Sequence, residues 1–170
     1  MAENATIRTH RKLFNEWATS LMTGENKLTD TEIDNYIDAF DNANTREILI
    51  TLSLPCGETL TGHANLINGD TKAIGPKRFH LIESMAFGYR QPVFKWRAMR
   101  AVALFETLLK HRNTAPLLIA EAYCEMALNL LDAAAKHCGM AFELDPELME
   151  NDPYAIAVLD GRTPKWAKVA

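Results

Sequence analysis

The run from Ala115 to Glu147, APLLIAEAYCEMALNLLDAAAKHCGMAFELDPE, leaves this chain few folds to choose from. It is apolar, rich in alanine and closed by Asp145-Pro146, the pattern of helices packed against other helices. Two arrangements are open to it. Glu121, Glu125, Asn129, Asp132, Lys136 and Glu143 share one sector of an uninterrupted helix, which favours a single rod. Asn129 followed by Asp132 supplies a turn and a fresh N-cap, and Ala133–Ala135 permit close helix approach. Two helices, over 115–128 and 132–143, cover each other's apolar faces, whereas a lone rod needs more neighbours than the chain offers. The hairpin is therefore the expectation.

The remaining pattern predicts an all-α chain, one multi-helix bundle of six to seven helices over residues 1–170. A first helix spans Asn4 to Met22, with Leu13, Phe14, Trp17 and Leu21 on its apolar side and Gly24 ending it. Thr29-Asp30-Thr31-Glu32 is a capping box, and Ile33, Tyr36, Ile37 and Phe40 form the stripe of the helix it opens. From Asn44 to Leu52 the pattern is mixed. Ile48, Ile50 and Leu52 alternate as in a strand, while the cap and Arg46-Glu47 favour the short helix expected here. Residues 55–75 read as an irregular connection; one helix follows from Pro76 and another from Pro92 to His111. A last short helix is capped at Asn151 or Asp152 and stops at Gly161, leaving a tail with Trp166.

Charge is segregated. Residues 1–71 hold five Lys/Arg against eleven Asp/Glu, residues 72–112 hold nine against two, and residues 113–170 hold four against nine. A basic middle between acidic flanks is either an exposed anion-binding patch or an element paired with its own acidic neighbours. Three sparse cysteines without a CxxC pair indicate a reduced, cytoplasmic protein. The charged N-terminus lacks a signal-peptide core, and Pro116–Leu131, interrupted by Glu121 and Glu125, is too short for a bilayer span.

Residues 115–147 resemble a degenerate tetratricopeptide-repeat (TPR) hairpin. With Pro146 on the closing proline, Ala122, Ala134 and Ala141 take the family's small positions and Cys138 its usual aromatic position. Glu121 stands where the family has leucine and Glu125 where it has tyrosine, and no second copy at that period follows. More widely, basic helix end, APLL, alanine-rich hairpin, Leu-Asp-Pro, Asp-Gly and Thr-Pro-Lys-Trp are similar to the C-terminal half of an actinobacterial family of uncharacterised proteins. That family is carried by phages and mobile elements too, and the similarity covers residues 90–168. It implies a helical fold in a bacterial or phage cytoplasm and carries over no functional residue.

Signals for chemistry are thin. Cys56 and His63 have no spacing that enforces a nucleophile pair, and a turn cysteine explains the first. His111, Cys124, His137 and Cys138 converge only if three helices pack side by side, and adjacent His137-Cys138 point apart on a helix. Asp30, Asp34, Asp38 and Asp41 read as a solvated helix edge, and Gly69-Asp70 lies in no phosphate-binding motif. No catalytic residue, metal or cofactor is expected. The expected function is a non-enzymatic protein-interaction module, phage- or mobile-element-encoded and acting on a host protein, with Trp96, Arg97, Arg100, Tyr123 and Trp166 as contacts. The alternative is a nucleic-acid-associated accessory protein using the basic segment 72–112, through Lys77, Arg78, Arg90, Lys95, Arg97 and Arg100.

Overall fold

A computed structural model describes residues 2–25, 27–54 and 94–162, with residues 2–9 described by backbone alone. The described residues form eight helices and no strand: α1 (Ala2–Thr23), α2 (Asp30–Asp41), α3 (Ala43–Ser53), α4 (Lys95–His111), α5 (Ala115–Ala127), α6 (Leu131–Leu144), α7 (Pro146–Asn151) and α8 (Pro153–Leu159). The all-α expectation holds. None of these helices is long and apolar enough to cross a membrane. The connection over 55–75, the helix from Pro76, and Cys56, His63, Lys77, Arg78, Arg90 and Trp166 lie outside the described residues.

The N-terminal elements follow their local chemistry. The capping box forms as read: Glu32 N–H donates to Thr29 Oγ1, and Glu32 Oε2 accepts from the Thr29 backbone at 2.8 Å. The mixed segment is helical, capped two residues earlier than expected by Asn42, whose side chain accepts from Thr45 N–H at 3.0 Å. Its strand-like alternation has a physical cause. Packed against α1, α2 and α5, α3 buries Ile48, Leu49, Ile50, Thr51, Leu52 and Ser53 in succession, so hydrophobicity stops tracking one face. At the centre of this half, Trp17 meets Tyr36, Phe40 and Phe105 with ring centroids 5.3–5.7 Å apart, and its Nε1 donates to Ser53 Oγ at 3.0 Å.

The C-terminal run is a hairpin. Asn129 turns the chain, with φ of 62°, a conformation asparagine tolerates better than most residues. Asn129 N–H donates to Met126 O and Leu130 N–H to Glu125 O, both at 2.9 Å, the paired bonds of a Schellman helix end. Asp132 is not the cap that the sequence suggested; it lies in the first turn of α6, whose N-cap is Leu130. The same helix end recurs after α8 at Gly161, φ 61°. Between them α7 is an additional short turn of helix, capped by Asp145 at its start and ended at Asp152.

Asp152 does two jobs. Its Oδ1 caps α8, accepting from Tyr154 and Ala155 N–H at 2.9 and 3.2 Å. Its Oδ2 accepts from the guanidinium of Arg46, which also donates to Phe40 O at 2.9 Å. Both side chains are buried, so the pair ties the α2–α3 junction to the last helix across the core. Removing one partner strands the other charge away from water. We expect Asp152→Ala to destabilise the fold by about 3–5 kcal/mol in denaturant melts. Asp152→Asn, which preserves the cap, is expected to lose less.

Candidate functional site

Helix α5 is the most enclosed element, with α2, α3, α4, α6 and α8 packed around it. Every residue from Leu117 to Ala127 is buried, among them two glutamates. Glu121 and Glu125 are one turn apart and so share a face. That face looks across the hairpin to His137 on α6. His137 Nδ1 lies 2.8 Å from Glu125 Oε2 and 3.7 Å from Glu121 Oε2. Glu121 is 0% exposed, and neither of its carboxylate oxygens has a hydrogen-bond partner among the described residues. His137 is the edge of the cluster that reaches solvent, its side chain 19% exposed.

Burial shapes the acidity of these groups. It raises the Glu121 carboxyl to about 8, with Glu125 and Glu106 adding like-charge repulsion. It raises Glu125 as well, against the opposing pull of His137 and Lys136. Cys124 is pushed up by burial, and Cys138 to about 11, so both thiols stay protonated and behave as core residues. The four residues weighed from the sequence as metal ligands do not assemble. Cys124 and Cys138 are free and buried, and His111 sits elsewhere, 3.4 Å from Asp34. Histidine 137 instead meets the two glutamates that interrupt the TPR-like pattern.

The surface contacts expected from the sequence divide sharply. Tyr123 is fully buried, its ring edge-on to Tyr154 at 4.8 Å, because the α5 face that carries it is covered by α8. It is a core residue and not a contact. Arg97 is also buried, its Nε donating to Leu52 O at 2.9 Å at the open end of α3, so it serves neither a protein nor a nucleic-acid surface. Arg100 donates to Leu21 O and Met22 O, at 3.0 and 2.6 Å, and closes the C-terminus of α1. A Cβ at Gly24 would come within 3.1 Å of its Nε. Trp96, 43% exposed, carries Arg100 over its ring at 5.0 Å, and Lys95 is exposed.

The exposed apolar surface lies largely elsewhere. Leu131, Ala135, Gly139 and Phe142 all face outward from α6, within about 80° of one another around its axis. Leu131 is 39% and Phe142 50% exposed, and a Cβ at Gly139 would meet nothing within 4 Å. A shallow cleft of about 400 Å³ beside α1 and α2 is a weaker candidate. Lys12 pairs with Glu16, Glu32 closes the capping box and Asp38 holds Arg112, so its charges are already engaged.

With this geometry established, comparison adds no relative: no family profile, curated protein or solved structure matches the chain.

The raised pKa of Glu121 fixes a direction for pH. In the unfolded chain its carboxyl titrates near the ordinary 4.5, in the folded one near 8. Its contribution is thus full below the lower value and is lost as pH rises through the upper. The groups facing it are Glu125 on its own helix, His137 on α6 and Glu106 on α4. We expect the metal-free protein to melt at lower temperature at pH 9 than at pH 6, and Glu121→Gln to flatten that difference. An unchanged profile in the variant would assign the dependence to other groups.

Proposed function

We propose that this chain is a non-enzymatic protein-interaction module whose contact surface is the outer face of α6. The observation that carries the reading is the stripe Leu131–Ala135–Gly139–Phe142: two large apolar side chains at its ends and two small residues between. A helix packs most closely where a neighbour lacks bulk, and large flanking groups then grip its sides. Asp132, Lys136 and Glu143, all exposed along one edge, form a polar rim of the kind that surrounds an apolar contact. The partner that fits is a protein offering an amphipathic helix. A host protein met by a phage- or mobile-element-encoded factor is the setting that the resemblance of residues 90–168 supports, and the free, buried Cys124 and Cys138 suit a reducing cytoplasm.

The nucleic-acid reading loses ground for a specific reason. The basic segment's three described arginines each have a partner within the chain: Arg97 bonds to Leu52 O, Arg100 to the end of α1, and Arg112, itself exposed, to Asp38 at 2.6 Å. Lys95 and Lys110 are the exposed lysines of its described part, which with the Asp38-bound Arg112 makes a small electrostatic footprint for counterion release among the described residues.

Two variants separate surface from scaffold. Gly139→Ala fills open space within a helix and is expected to stabilise the protein by about 1 kcal/mol. Leu131→Ser with Phe142→Ser should leave helicity and the melting temperature unchanged while abolishing co-purification of the partner from the native host. Retention of the partner by that double variant would move the interface off α6.

A further inference from the structure

We infer that Glu121, Glu125 and His137 form a binding site for one divalent first-row transition-metal ion, held between α5 and α6. The site is distinct from the outer face of α6 and does not depend on it. Three observations carry it. First, one donor atom from each residue lies within 4.8 Å of the other two, the only such group of His, Cys, Asp and Glu among the described residues. Second, the separations suit a shared ion. Ligands held at about 2.1 Å from a metal lie about 3.0–3.4 Å apart, in octahedral or tetrahedral order. The observed 2.8 and 3.7 Å from Nδ1 to the two carboxylates bracket that spacing. Third, Glu121 presents two buried oxygens with no hydrogen-bond partner among the described residues, on the side facing His137. A buried acid without donors is costly unless something positive satisfies it.

The donor set narrows the ion. An imidazole beside two carboxylates suits Zn²⁺, Mn²⁺ or Fe²⁺, whereas Ca²⁺ and Mg²⁺ prefer oxygen alone. The nearby thiols of Cys124 and Cys138 are not part of this group of donors. Glu106 on α4 adds negative potential to the same region without being a ligand. Three protein ligands leave at least one coordination position for water or a further donor.

The test uses the full chain, stripped with chelator and titrated separately with Zn²⁺, Co²⁺ and Mg²⁺. One equivalent of Zn²⁺ should bind and raise the melting temperature, with Mg²⁺ at the same concentration at least tenfold weaker. His137→Asn and Glu121→Gln should each weaken Zn²⁺ by tenfold or more. Glu121→Gln removes a buried acid and so keeps the fold even if the histidine variant does not. The Co²⁺ complex should lack a thiolate-to-metal charge-transfer band. A strong band of that kind, equal binding of Mg²⁺, undiminished Zn²⁺ binding by Glu121→Gln, or no binding at all would each overturn the site.

Discussion

The buried ion pair of Arg46 with Asp152 joins the α2–α3 junction to the start of α8. Hydrophobic contact is permissive about angle and translation, whereas a guanidinium shared between a carboxylate and Phe40 O has little freedom. Because Asp152 also caps α8, placement of that helix is coupled to where α2 gives way to α3. Such a pair adds little net stability compared with apolar residues of the same size. Its value here is to make one arrangement of similar helices preferable to others.

The arginines show the same economy. Arg97 and Arg100 run from α4 to carbonyls at the ends of α3 and α1, groups that a helix end leaves without intrahelical partners. Arg112 reaches from the end of α4 to Asp38, with Asp34 at 4.0 Å. The segregated charge of the sequence is therefore in part an internal fitting of a basic helix to the carbonyl ends and acidic edge of its neighbours.

How far the residues alone disclosed this is clearest position by position. The capping box at Thr29, the break at Asn129 and the stop at Gly161 were legible because each rests on contacts within a few residues. The burial of Tyr123 and Arg97 was not. Aromatic and arginine side chains favour interfaces and interiors alike, and which applies depends on whether α8 and α3 arrive to cover them. Glu121 and Glu125 appeared as polar interruptions of an apolar helix and as departures from the hairpin pattern, and not as a site. Their spacing carried a signal, two acids one turn apart in an apolar helix. Its meaning rested on His137, twelve residues past Glu125 and facing it only once the hairpin folds.

That departure is the most instructive feature of the chain. A helix enclosed by five others is the least hospitable place for two carboxyls, and leucine at either position would pack at no electrostatic cost. Acids at such positions raise the energy of the metal-free fold at neutral pH, and His137 offsets only part of it, since Glu121 stands 3.7 Å away and hydrogen-bonds to nothing described. A cation of charge two placed among the three donors would neutralise both acids, relieve the repulsion between them along α5 and tie α5 to His137 of α6. The outer face of α6 lies on the same helix as His137, so an ion gripping the inner face would also fix the surface presented outward. Recognition on one side of the helix and coordination on the other would then be two uses of one rigid hairpin.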